Sequence, residues 1–81
     1  MYYVYIVECA DKSLYTGIAK NIENRVKEHN ESNKGAKYTR NKRPVKLVYF
    51  APYSSRSEAS KEEFRIKKLD KAMKIRLING H

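Results

Sequence analysis

Cysteine is nearly absent from this sequence: Cys9 stands alone among 81 residues. A lone thiol forms no internal disulfide and offers neither the paired thiolates of a zinc site nor a redox motif. Histidine is scarce too, with His29 and His81 the whole supply. Two imidazoles are too few for a metal cage, so a catalytic metal is expected to be a hard cation held mainly by oxygen. Tryptophan does not occur, and no Pro/Gly/Ser-rich linker, internal repeat or low-complexity tract divides the chain. A single domain over residues 1–81 is therefore expected. No apolar run approaches the roughly 18 residues of a membrane span. The start, Met1-Tyr2-Tyr3-Val4-Tyr5, lacks a basic region and a small-residue cleavage site,. The expectation is a cytoplasmic protein without a membrane partner, monomeric by default.

Acidic residues are also few: nine Asp and Glu stand against eighteen Lys and Arg, a net charge of +9. On so small a body that surplus attracts polyanions, chiefly nucleic acid or an anionic membrane. The distribution is uneven. Ser32 to Arg56 contains no acidic residue but holds Lys34, Lys37, Arg40, Lys42, Arg43, Lys46 and Arg56. Lys34, Lys37, Arg40, Lys42 and Arg43, with Tyr38 as a stacking surface, are candidates to grip nucleic-acid phosphates.

Tyr2 to Glu8 is rich in strand formers, with Tyr3, Tyr5 and Val7 on one face and Tyr2, Val4 and Ile6 on the other,. A turn at Ala10-Asp11-Lys12 and a short strand from Ser13 to Ile18 complete a hairpin. Gly17 there suggests a bulge or a close backbone approach. Asn21 caps a helix to about Asn30, with Ile22, Val26 and His29 on one face. Asn30 to Pro44 reads as a long polar, basic loop. Val45 to Phe50 is a third strand, introduced by Pro44 and ended by Pro52. Ser55 or Ser57 caps a helix to about Leu69. Asp70 caps a last helix, Lys71 to Ile78, with Gly80 beyond it. The fold class is α+β, a small three-stranded antiparallel sheet flanked by helices in the order β-β-α-β-α-α.

Seven tyrosines beside two phenylalanines are more phenol than a packed core requires, because each buried hydroxyl needs a partner,. Tyr5 and Tyr15 lie on the paired strands and can approach on one face. Arg25 and His29 are one helical turn apart and border the apolar stripe. Glu62 and Glu63 both lie near the apolar side of the next-to-last helix, and periodicity does not choose between them.

Taken in order, Tyr3-Val4-Tyr5, Tyr15-Thr16-Gly17, Arg25 and His29 on a helix and a glutamate on a later helix resemble the GIY-YIG nuclease superfamily. The likeness spans nearly the whole chain and is closest to the small standalone bacterial members. Those share stretches similar to Gly35-Ala36-Lys37-Tyr38-Thr39-Arg40, Arg43-Pro44-Val45 and Ser55-Arg56-Ser57-Glu58-Ala59. Tyr3 stands where the first namesake tripeptide has Gly, and Thr16 where the second has Ile. The resemblance implies that Tyr5, Tyr15, Arg25, His29 and Glu63 are catalytic, with Glu63 holding one Mg²⁺ or Mn²⁺. It favours Glu63 over Glu62, leaves the base open between Tyr5 and Tyr15, and points to Asn79 as the one late asparagine. The implied activity is metal-dependent hydrolysis of phosphodiesters in DNA. The alternatives are a catalytically weak nucleic-acid-binding module of the same fold and a partner-binding domain whose charge serves only solubility.

Overall fold

Tyr2–Glu8, an almost unbroken run of Tyr, Val and Ile, becomes β1, the middle strand of a three-stranded antiparallel sheet. A central strand covered on both faces reads as a continuous apolar run rather than an alternation. The computed structural model describes residues 1–31, 39 and 41–80. Its further elements are β2 (Leu14–Ala19), α1 (Ile22–Glu31), β3 (Lys46–Tyr53), α2 (Arg56–Lys67) and α3 (Lys71–Ile78). The strand order is β2-β1-β3, so both neighbours of β1 are edge strands. Class and element order are as the sequence predicts.

The hairpin turns at Asp11, whose Oδ1 accepts the Ser13 N–H at 3.0 Å, while Lys12 takes a φ of 73°. This is an Asx turn, in which the carboxylate substitutes for a backbone acceptor. β3 departs from expectation. It runs through Pro52, which pairs with Tyr3, instead of stopping before it. Proline lacks a ladder donor, but an edge strand has one side with nothing to donate to. A register shift sets Tyr49 opposite Ile6 and Leu47 opposite Val7, leaving Val48 as a bulge residue,.

Each face of β1 has its own core. Val4 and Ile6 pack with Ala59 and Ile66 of α2, joined by Leu77 and Ile78 of α3. On the other face Tyr5, Val7, Cys9 and Val45 pack with Tyr15, Ala19 and Val26 of α1. Ser55, not Ser57, caps α2, its side chain accepting the Glu58 N–H. That helix ends at Lys67, short of Leu69, because Lys68 and Leu69 donate to Arg65 and Ile66 in a tightened last turn,. Asp70 caps α3, accepting from the Met73 N–H at 2.9 Å. Asn30 at the end of α1 makes two bonds to Val45, Nδ2 to the carbonyl at 3.0 Å and Oδ1 from the N–H at 2.7 Å. This side-chain clamp fixes the helix beside the start of β3, and so fixes what α1 presents to the sheet. No helix among the described residues is long and apolar enough to cross a membrane.

Candidate active site

Tyr5 and Gly17 face each other across the β1–β2 ladder. The Tyr5 ring lies over the Gly17 backbone so closely that a Cβ there would stand 2.6 Å from the Tyr5 hydroxyl oxygen and 2.8 Å from Cζ. Glycine is required here for space, not for φ. It lets the phenol lie flat beneath α1, where only 1% of Tyr5 remains exposed.

Each turn of α1 then adds a partner. Burial demands one for the hydroxyl, and His29 Nε2 supplies it at 2.8 Å. His29 is fully buried, and its Nδ1 meets Thr39 Oγ1 at 2.9 Å. Burial, then the nearby Arg25 guanidinium, holds the imidazole below its ordinary pKa of 6.5. The ring is therefore neutral at physiological pH. Arg25, whose Nη1 donates to Glu28 Oε1 at 3.0 Å, stands near enough for its charge to pull the Tyr5 pKa down. One arrangement satisfies both bonds: Tyr5 donates to His29 Nε2, and His29 Nδ1–H to Thr39,. Tyr15 closes the group, its ring 5.5 Å from that of His29 in edge-to-face contact. The buried members, Tyr5 and His29, underlie half-buried Tyr15 and Arg25.

α2 separates the two carboxylates that periodicity left equivalent. Glu62 takes two bonds from Arg65, each 2.6 Å. It turns toward Tyr49 and Tyr53 of β3, whose pKa values are raised by burial and then by its charge. Glu63 goes the other way. Its Oε2 is 3.2 Å from Lys67 Nζ, and that ammonium lies 6.0 Å from the centre of the Tyr15 ring. The Glu63 charge is also felt at the Tyr5 hydroxyl. The structure thus brings Tyr5, Tyr15, Arg25, His29 and Glu63 to one patch. Among the described residues no three His, Cys, Asp or Glu side chains cluster to form a metal cage. A lone, partly exposed carboxylate still suits Mg²⁺ or Mn²⁺, which keeps several waters and takes other ligands from a bound phosphate.

The buried phenol makes a prediction about stability. Burial pushes the Tyr5 pKa from 10.0 up to about 12, Arg25 pulling it down and Tyr15 and Glu63 adding to the rise. Between those values an unfolded phenol gives up its proton and the folded one keeps it. Stability therefore falls as pH climbs above 10.0 and the loss levels off past about 12. At about 1.4 kcal/mol per unit, Tyr5 accounts for up to about 3 kcal/mol of that loss. Tyr49 and Tyr53 shift in the same direction and add to it. Denaturant titrations at about pH 9 and about pH 11.5 should show a smaller alkaline loss for Tyr5→Phe than for the unsubstituted protein. Equal losses would contradict a buried, protonated Tyr5.

The remaining candidates are placed as follows. Lys34, Lys37, Tyr38 and Arg40 lie outside the described residues. Lys42 Nζ is 3.4 Å from Asp11 Oδ2. Arg43 donates through Nε to the His29 carbonyl, at the C-terminal end of α1. Asn79 is the C-cap of α3, a helix that packs on β3. Sequence reasoning missed Thr39, which is fully buried as the partner of His29. The only signal for it was its place in the stretch Gly35-Ala36-Lys37-Tyr38-Thr39-Arg40. A cleft of about 450 Å³ between Tyr3, Lys20, Ile22 and Phe50 contains none of the five clustered residues.

Residues 1–76 match the model of the GIY-YIG catalytic domain. A UPF0213 protein of Desulfotalea psychrophila is 56% identical over 98% of this chain and 72% of its own length. One from Clostridium perfringens is 52% identical over 99% of this chain and 85% of its own. The solution structure of a UPF0213 protein from Bacillus halodurans superposes with a TM-score of 0.62 at 42% identity, covering 98% of this chain and 84% of that one. A solution structure from E. faecalis gives a TM-score of 0.66 at 38% identity, covering 98% and 83%.

Proposed function

Because this chain belongs to the GIY-YIG catalytic-domain family, we propose that it is a metal-dependent endonuclease hydrolysing phosphodiester bonds in DNA. The observation that carries the reading is the convergence on one patch of two phenols, a guanidinium and a carboxylate drawn from β1, β2, α1 and α2. Hydrolysis requires that water lose a proton, that the phosphorane charge be held, and that the 3′ oxygen leave. Arg25, half-buried beside Tyr5, donates to the phosphate oxygens as charge accumulates on them,. Tyr15 is the phenol with exposed surface; having first released its own proton to solvent, it takes the proton from the attacking water as the phenolate,. Tyr5 and His29, at 1% and 0% exposure, act from beneath as positioning residues. Glu63 would hold one Mg²⁺ or Mn²⁺, which when bound supplies Lewis-acid stabilisation of the phosphate and the leaving oxygen. The net charge of +9 draws the polyanion in,.

A second reading, a nucleic-acid-binding module of the same fold with little catalysis, has one observation in its favour. Lys67 already pairs with Glu63, and a metal must displace that ammonium. The two are separated by incubating purified protein with single-stranded, nicked, branched and duplex DNA in Mg²⁺, Mn²⁺ or EDTA. The nuclease reading expects salt-sensitive binding in every buffer and cutting only with a divalent ion. Binding without cutting in either metal leaves only the second reading.

A further inference from the structure

Phe64 follows Glu63 in the chain and is 62% exposed, the most exposed aromatic side chain among the described residues. It belongs to neither apolar core. Its ring is nevertheless held in place, because Lys68 Nζ lies 4.2 Å from its centre, one helical turn on,. Successive residues of a helix are turned by about 100°. With Ala59 and Ile66 facing the core, Glu63, Lys67, Phe64 and Lys68 therefore follow one another around the flank of α2 that starts at Tyr15. Carboxylate, ammonium, aromatic ring and ammonium form a continuous strip leading out of the candidate active site.

We propose that Phe64 is a stacking platform for an unpaired nucleobase next to the scissile phosphate, with Lys68 on the adjoining backbone phosphate. The substrate class is then DNA with a single-stranded segment at the cut. This inference rests on the nuclease reading and deepens it. An ammonium on one side of the ring leaves the other side for a base, and it adds the positive charge a flanking phosphate requires. Paired bases inside a duplex are already stacked on both sides and gain nothing from the ring. A strand, moreover, carries both a base and a phosphate, whereas a purely apolar partner would have to desolvate Lys68 and Lys67.

The test uses binding in EDTA, so it is independent of cleavage. Anisotropy with a labelled single-stranded oligonucleotide and a duplex of equal length is combined with 2-aminopurine fluorescence, which reports stacking. Phe64→Ala is expected to weaken single-strand binding about tenfold, within the range for losing one stacked base. It should also abolish the 2-aminopurine quenching, while duplex affinity changes by less than about twofold. Phe64→Trp should preserve both signals. Lys68→Gln should lower the salt slope on single strands by about 0.7. Unchanged single-strand affinity in Phe64→Ala, equal loss on both DNA forms, or a change of oligomeric state in sedimentation would overturn the proposal, the last because Phe64 would then contact a second copy of the chain. Wild-type protein that binds neither DNA form overturns both this inference and the nuclease reading. Wild-type protein that cuts DNA, beside a Phe64→Ala variant that binds as it does, overturns this inference alone.

Discussion

Glu63→Ala is expected to lower the DNA cleavage rate about a thousandfold or more, a loss of about 4 kcal/mol of transition-state stabilisation. Binding in EDTA should stay the same or tighten. The reason is bookkeeping of charge: the substitution removes one acidic group from a chain of net charge +9 and releases Lys67 from its 3.2 Å contact. An ammonium freed in this way is available to a phosphate. Loss of cutting therefore cannot be loss of grip. Glu62→Ala is the matched control. It removes a carboxylate from the adjacent position of the same helix, but one bound to Arg65 and directed toward Tyr49 and Tyr53. It should cut normally and lose at most about 1 kcal/mol of stability, as exposed ion pairs do. Single-turnover cleavage beside anisotropy measures both quantities. A Glu63→Ala protein that cuts like the wild type would mean that the chemistry lies elsewhere or in a contaminant. Equal losses in the two variants would mean that the flank of α2 does not discriminate between the carboxylates.

That pair of glutamates also shows where reading the sequence stops. Helical periodicity places both near the apolar side, because their angles fall on either side of the direction of Ala59 and Ile66. Packing breaks the tie: α2 lies across the sheet, so one flank meets β3 and the other meets β2. Only the resemblance to a family had chosen Glu63, and the structure now supplies the physical distinction. Pro52 teaches the same lesson. Locally it is a strand breaker, but its cost depends on whether the strand is an edge, and strand order is a property of the whole sheet,. β1 was legible because burial on both faces writes a continuous apolar run into seven residues. Gly17 was legible as a close approach, although its partner, the Tyr5 ring, was not.

The basic run was least informative of all, since charge alone does not distinguish a side chain aimed at solvent from one turned inward. Arg43 reads like Lys34 or Lys42, yet its guanidinium bonds the His29 carbonyl. Thr39, in the same run, reads like any loop hydroxyl. Its burial follows from His29, because a neutral imidazole enclosed by protein needs a partner on both nitrogens,.

Tyr15→Phe is expected to reduce cleavage by about 10² to 10⁴, the usual contribution of a positioned base, and Tyr5→Phe by about tenfold. The asymmetry comes from what each hydroxyl is engaged in. Tyr5 donates to His29 Nε2, with 1% of its surface exposed and its pKa pushed up to about 12. A phenol so placed neither meets water nor yields its proton readily. Its removal would leave His29 Nε2 buried without its partner, at a stability cost of about 1–3 kcal/mol. Tyr15 is half-buried, edge-on to His29 at 5.5 Å, and within reach of the Lys67 charge. Rate, denaturant midpoint and pH–rate profile separate the two roles. Tyr5→Phe should lose more stability than rate and keep the rise of activity with pH, whereas Tyr15→Phe should keep its stability and lose that rise. If Tyr5→Phe, still folded, lost the pH-dependent limb while Tyr15→Phe kept it, the base would be Tyr5. The protein would then have to lift α1 off the sheet before each cut, at the cost of exposing His29 and its two hydrogen bonds.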